Sequence, residues 1–178
     1  LDVLKAELPV PVIDVVEPGA RALVLATHTG EVGVIGTVGT ITSGAYDRAI
    51  AATGAHVHLT SAACPGFVEF VERGQTSGPE VTILAERLLA PVKEAGVDSL
   101  LLGCTHYPYL ARVISEVMGP EVTLVSSADE TAFAARRVLG EAGLLRAPGG
   151  SPAVHRFLSS GDISWFADLG RRLLGPEL

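Results

Sequence analysis

Apolar positions along the chain fall into two alternating kinds of block. Short continuous runs, such as Val32-Gly33-Val34-Ile35-Gly36 and Ser99-Leu100-Leu101-Leu102-Gly103, read as strands; the second is apolar enough to be buried on both faces. Between such runs lie stretches whose apolar residues recur three and four apart, the spacing of one helical face. On this pattern strands are expected at residues 12–16, 32–36, 57–61, 99–103, 122–125 and 156–159. Helices are expected from Pro18 onward and at 42–53, 66–73, 80–95, 107–118, 129–142 and 163–174. Pro18 suits a first helical turn, where its missing N–H has no helical partner. Gly74 and Gly96 stand where helices should stop. Residues 75–79 read as a loop and 145–152 as a turn-rich linker. Leu1, Leu4 and Leu8 share a helical face with no capping residue ahead of them. The chain therefore reads as entering a helix part-way, as a fragment with an unrecorded first portion would.

Strands that alternate with helices imply an α/β fold, a parallel sheet with helices on both faces. Ligands in such sheets bind beyond the carboxyl ends of the strands. Composition sharpens this picture in a few ways. Hydrophobic residues are 48% and aromatics only 5%, so the core is to be built from Val, Leu, Ile and Ala. A charged fraction of 19% is too low for a disordered chain. A net charge of −7 leaves no basic stripe, so no nucleic-acid partner is expected. Cys64 and Cys104 are the two cysteines, too few for a disulfide scaffold of this size. Beyond the Cys104/His106 pair no metal-ligand spacing occurs, and His56 and His58, on one face of a strand, are only a weak hint; no metal is expected. No apolar run is long enough for a membrane helix, and the N-terminus lacks the pattern of a signal peptide. A cytoplasmic protein with no membrane partner is the expectation.

Three stretches can carry chemistry. In Gly103-Cys104-Thr105-His106-Tyr107-Pro108 a cysteine leaves a buried strand and meets a polar turn that opens a helix. A helix N-terminus favours anions and is expected to lower the thiol pKa, and His106 stands two residues on to assist it. Thr105 offers a hydroxyl and an N–H to a carboxylate. A buried structural cysteine with a capping threonine fits the same spacing. The second stretch runs from Gly33 through Thr37 and Thr40 to Tyr46. It lacks the lysine of a phosphate-binding loop and the dinucleotide glycine spacing. Its backbone N–H groups and threonine hydroxyls suit a small carboxylate, or simply a tight turn and a helix cap. Third, Cys64-Pro65 precedes a short helix bearing Glu69 and Glu72. Those carboxylates either tune a nearby group or sit in solvent, and Cys64 reads as a small apolar packing residue.

Taken together, Val15-Val16-Glu17-Pro18-Gly19-Ala20, Gly33 through Thr37 to Gly44-Ala45-Tyr46, Ala63-Cys64-Pro65 and Leu102-Gly103-Cys104-Thr105-His106-Tyr107-Pro108 resemble glutamate racemase, of the aspartate/glutamate racemase superfamily. Phe157-Leu158-Ser159-Ser160-Gly161-Asp162 through Phe166 resembles the C-terminal part of that family, and Tyr109 departs from its usual aliphatic residue. The resemblance implies cofactor-independent interconversion of L- and D-glutamate by two cysteines on opposite faces of the α-carbon, supplying D-glutamate for peptidoglycan. It implies that Cys104 is the second of these cysteines and that His106 supports it. Glu72 is the carboxylate near that histidine, and Thr105, Thr37 and Thr40 are substrate contacts. The only ligand implied is a small molecule, glutamate, with no cofactor, and the assembly expected is a homodimer. The family's Ala-Cys-Asn-Thr motif, which carries its first cysteine, does not occur in these residues. The implied fold has two similar domains with mostly parallel sheets. Residues 1–16 and 126–178 would be the remainder of the first, and 17–125 the second. A racemase of the same superfamily for aspartate or a hydantoin, and a non-catalytic dicarboxylate-binding domain, are the alternatives.

Overall fold

Four of the expected strands find partners, and their pairing sets the architecture. The computed structural model describes residues 1–147, 149 and 154–175. In order the elements are α1 (Asp2–Glu7), α2 (Val16–Ala26), β1 (Glu31–Gly36), α3 (Val38–Thr42), α4 (Ala45–Ala52), β2 (His58–Ala63), α5 (Phe67–Glu72), α6 (Pro79–Glu94), β3 (Ser99–Leu102), a 3-10 turn (Tyr107–Leu110), α7 (Ala111–Met118), β4 (Thr123–Ser126), α8 (Ser127–Glu141) and α9 (Ile163–Leu174). The strands form one parallel sheet in the order β2-β1-β3-β4. The chain moves outward from β1 to β2 and then crosses back over β1 to β3. The strand order therefore reverses between β1 and β3, which opens a crevice at their carboxyl ends.

Side-chain alternation divides the core into two layers. Val32, Val34, Leu101 and Val125 face α2 and α4, where they meet Ala20, Leu23, Tyr46 and Ile50. Ile35, Leu100 and Leu102 face the other way, against α5, α6, the 3-10 turn and α7. Every residue of β3 is buried, as a strand covered on both faces must be. Glycine permits one close contact in this sheet. A Cβ on Gly33 would come within 2.7 Å of Leu100 Cδ1, so the neighbouring strand's leucine occupies the space a side chain would need.

Several expected elements differ. Residues 12–16 are not a strand. The Asp14 carboxylate accepts the N–H groups of Val16 at 2.9 Å and Glu17 at 2.7 Å, turning the segment into the entrance of α2. A strand needs a ladder, and among the described residues no strand pairs with it. The same holds for residues 156–159, where Phe157 and Leu158 are exposed. The helix expected over 42–53 is α4, which starts only at Ala45, because Gly44 takes a left-handed φ of +62° and separates it from a further short helix, α3, that ends at Thr42. The helix expected over 107–118 begins instead as a 3-10 turn, with Tyr107 N–H on the Cys104 carbonyl and Tyr109 N–H on that of His106. Residues 148 and 150–152 of the expected linker, and 151–153 and 176–178 of the expected domain remainder, lie outside the described residues.

At the amino ends of the strands Asp98 stitches the sheet to the loop after α2. Its carboxylate accepts the Thr27 hydroxyl at 2.6 Å and the backbone N–H groups of His28 and Thr29 at 2.7 Å each. Partial desolvation pushes its carboxyl up, but these hydrogen bonds outweigh it and hold the group well below the usual carboxylate range. A depressed folded-state pKa contributes stability that is present above the unfolded value, about 3.9, and is lost as pH falls through the folded one. Asp98→Asn is therefore expected to lower unfolding stability at pH 7 by about 1–2 kcal/mol. Denaturant titrations of both chains should show that gap closing as the medium is acidified; a gap that persists unchanged to strong acid would contradict the assignment.

Candidate active site

The crevice between β1 and β3 receives the residues that leave those strands. Ile35 pairs with Leu102, and Gly103 N–H continues the ladder to the Ile35 carbonyl at 2.8 Å. Thr37 and Cys104 therefore leave two paired parallel strands at the same end of the sheet. Gly103 is what lets Cys104 emerge here. A Cβ at that position would lie 2.9 Å from both the Ile35 carbonyl oxygen and the Tyr46 ring.

Cys104 sits in a short chain of polar groups. Its Sγ lies 3.9 Å from His106 Nδ1, and the other ring nitrogen, Nε2, lies 3.6 Å from Glu72 Oε1. The first distance is the outer limit for a sulfur hydrogen bond, and the second is an ion-pair distance too long for a well-formed one. Glu72 reaches His106 because α5 is only six residues long, about 9 Å, and starts near the carboxyl end of β2. The other end of α5 is fixed by Phe67, which meets the Tyr107 ring edge-on at 5.3 Å. The buried Tyr107 hydroxyl in turn donates to the Cys64 carbonyl at 2.9 Å, tying the loop after β3 to the loop after β2.

The two cysteines differ sharply. Cys64 is buried and burial pushes its thiol up to about 12, so it stays protonated, in keeping with a packing role. Cys104 is half-buried, and its thiol is also raised, first by desolvation; the backbone N–H groups of His106 and Tyr107 counter this only in part. The direction is opposite to the expected lowering by a helix N-terminus. Desolvation outweighs the two N–H groups, and no long helix opens at Cys104 to add to them: the chain forms a 3-10 turn, and α7 begins only at Ala111.

Thr37 caps α3, accepting the Thr40 N–H at 3.2 Å, and the two hydroxyls lie 2.9 Å apart. The capping reading of these threonines is therefore realised, and both still stand at the mouth of the crevice. Thr105 is exposed beside Cys104. Tyr46, given no role from the sequence, closes the floor. It is buried, its ring lies against Gly103, and burial raises its hydroxyl while a hydrogen bond with the Ser127 side chain opposes the rise. The signal for it was present, a glycine ending a wholly buried strand, but the tyrosine that needs the space comes from another element. His56 and His58 lie away from this centre, with His58 Nδ1 3.1 Å from Glu31 Oε2. Among the described residues no cluster of three or more His, Cys, Asp or Glu is arranged to hold a metal ion, and no helix is long and apolar enough to cross a membrane.

A half-buried cysteine, a histidine and a carboxylate thus meet at the switch point of a parallel α/β sheet, the place where such folds bind small ligands. The family model for Asp/Glu/Hydantoin racemase matches residues 1–135, so the chain belongs to that family. Within it the chain is similar to glutamate racemases. It is 57% identical over 169 residues to that of Parafrankia sp. (strain EAN1pec), which spans 95% of this chain and 61% of the relative. It is 56% identical to that of Acidothermus cellulolyticus, spanning 95% and 64%. A crystal structure of a glutamate racemase isoform from Bacillus anthracis superposes with a TM-score of 0.91 at 39% identity, covering 98% of this chain and 65% of that one. The Francisella tularensis glutamate racemase, solved in complex with D-glutamate, superposes with a TM-score of 0.87 at 28% identity, covering 98% and 64%. The chain thus spans less than two thirds of the length of these four proteins.

The contrast between the cysteines is measurable. Iodoacetamide should modify Cys104 in the folded chain and leave Cys64 untouched until the protein is unfolded. Because burial raises the Cys104 thiol, its rate should still be climbing above pH 8.5, the ordinary thiol value being about 8.5. A rate already level at pH 7, read by mass spectrometry of the labelled peptides, would show a lowered thiol instead.

Proposed function

We propose that this chain is the larger part of a glutamate racemase in which Cys104 removes the α-proton of L-glutamate and returns a proton to that face in the reverse direction. The observation that carries the reading is the line Cys104–His106–Glu72 at the carboxyl end of β3, the same end of the sheet at which Thr37 leaves β1. In the forward direction the Cys104 thiolate takes the α-proton and becomes a thiol. Negative charge passes to the substrate's α-carboxylate, where the hydroxyls of Thr37, Thr40 and Thr105 are the donors within this chain. A thiol from the opposite face then delivers its proton to the α-carbon and is left as thiolate. Burial makes the Cys104 thiolate scarcer but more basic once formed, which suits a weakly acidic C–H. His106, polarised by Glu72, takes up the proton that Cys104 must lose before the next turnover. An ordinary cysteine, with a pKa of about 8.5, can serve as acid or as base, and the route uses no cofactor.

The names of the relatives favour glutamate over aspartate or a hydantoin as substrate. The domain reading is part of the same proposal: residues 17–125 form the second domain, and 1–16 with 126–178 belong to the first. Exposed apolar side chains on α1, α8 and α9, among them Leu4, Phe133 and Trp165, support it, since a packed domain would cover them. The product, D-glutamate, would supply peptidoglycan synthesis in the cytoplasm. A homodimer is the proposed assembly, which sedimentation of the full-length enzyme tests.

Two experiments test the chemistry. The 178 residues alone should not racemise L-glutamate, because Cys64 is buried and no third cysteine is present to serve the opposite face. Appreciable D-glutamate in that incubation would defeat the two-cysteine reading. In a full-length enzyme containing this chain, Cys104→Ala should lower racemisation in both directions by about a thousandfold or more, and Cys104→Ser nearly as much. A glutamate analogue with a good β-leaving group then separates the half-reactions, because elimination needs only deprotonation. The D-isomer should still eliminate in the Ala variant and the L-isomer should not. Elimination of both isomers at the wild-type rate would make Cys104 structural.

A further inference from the structure

The helix farthest along the chain touches the outer edge of the site. Leu173 of α9 packs against the apolar layer beneath α5 and α6. Beside it, the Arg172 guanidinium donates to the Gly74 carbonyl at 3.2 Å, across 98 residues of sequence. Gly74 has a left-handed φ of +71°, and a Cβ there would overlap that guanidinium. The N–H groups of this turn are satisfied locally, Gly74 on the Val71 carbonyl at 2.7 Å and Gln75 on that of Phe70 at 2.9 Å. The nearer cation, Arg73, is engaged along its own helix, with Nε on the Glu69 carbonyl and its guanidinium 5.1 Å from the Phe70 ring centre. The Gly74 carbonyl therefore takes its cation from a different element. Two residues before Gly74 stands Glu72, whose carboxylate meets His106 across 3.6 Å.

We propose that Arg172 is a positioning residue: by holding the Gly74 carbonyl it fixes the carboxyl end of α5 and so keeps the Glu72 carboxylate against His106. α5 is then pinned at both ends, by the Phe67–Tyr107 ring contact at its start and by Arg172 at its finish. A six-residue helix is too short to be rigid alone; Phe67 and Val71 seat α5 in the core, and the turn held by Arg172 sets where its last side chain, Glu72, points. The proposal rests on Cys104, His106 and Glu72 acting as one proton-handling line.

The test uses the reactivity of Cys104 in this chain, which reads that line without requiring turnover. Iodoacetamide alkylation of Cys104 at pH 7 is followed in the wild type, Arg172→Ala, Glu72→Gln and the double variant, with an unfolding midpoint for each. Glu72→Gln should slow alkylation about two- to fivefold, the size expected of a partly exposed ion pair. Arg172→Ala should slow it comparably, and the double variant should be no slower than Glu72→Gln alone. Arg172→Lys, which keeps a donor, should recover part of the rate, and Gly74→Ala, which expels the guanidinium sterically, should lose it. Arg172→Ala at the wild-type rate, whatever its unfolding midpoint, would make the arginine merely structural and overturn the proposal, as would a double variant whose loss is the product of the two single losses. Glu72→Gln at the wild-type rate would instead overturn the role of Glu72 itself, and the proposal with it.

Discussion

The burial of β3 between two helical layers is the constraint on which the rest depends. Its four residues are wholly enclosed, Leu101 against α2 and Leu100 and Leu102 against α6 and α7. A strand covered on both faces cannot slip register without turning apolar side chains into the wrong layer. Its carboxyl end is therefore fixed in space, and Cys104 with it. The same enclosure removes water from one side of the thiol, so the packing that positions the sulfur also raises its pKa.

The sheet divides labour between its ends. Asp98 and Thr27 hold the amino ends together through a closed set of hydrogen bonds, and that end carries stability. At the other end the contacts are longer and less complete. Cys104 and His106 are 3.9 Å apart, and His106 and Glu72 are 3.6 Å apart. Both are longer than well-formed hydrogen bonds, and contacts of this kind in an unliganded site commonly tighten when substrate binds. Gly103 and Tyr46 form the rigid floor under this looser arrangement.

Much of the fold was legible in the residue pattern, and the failures have physical causes. The paired strands were readable because buried runs such as Leu100-Leu101-Leu102 have few other solutions. Residues 12–16 and 156–159 carry similar apolar runs, yet a strand exists only where a neighbour completes its ladder, and local pattern holds no information on neighbours. Gly44 was visible as a residue, but that its left-handed turn delays the start of α4 to Ala45 depends on how α4 packs. Cys104 was legible as a candidate from its place after a buried strand. The direction of its pKa was not, because that is a balance between desolvation and N–H groups that only the folded turn sets. The meeting of Glu72 with His106 came from family resemblance, since spacing alone left Glu72 as a surface charge. The reach of Arg172 to Gly74 left no trace in the pattern at all.

The central claim is that Cys104 faces the α-proton of L-glutamate, and position tests it most directly. The measurement is a crystal structure of the full-length protein containing this chain, crystallised with glutamate. The account predicts Cys104 Sγ at about 3–4 Å from the substrate α-carbon, close to a near-attack distance, on the face from which the L-isomer's hydrogen projects, with His106 on the far side of the sulfur. A Cys104 sulfur beyond van der Waals contact with the substrate, or lying on the face of the D-isomer's hydrogen, would contradict it.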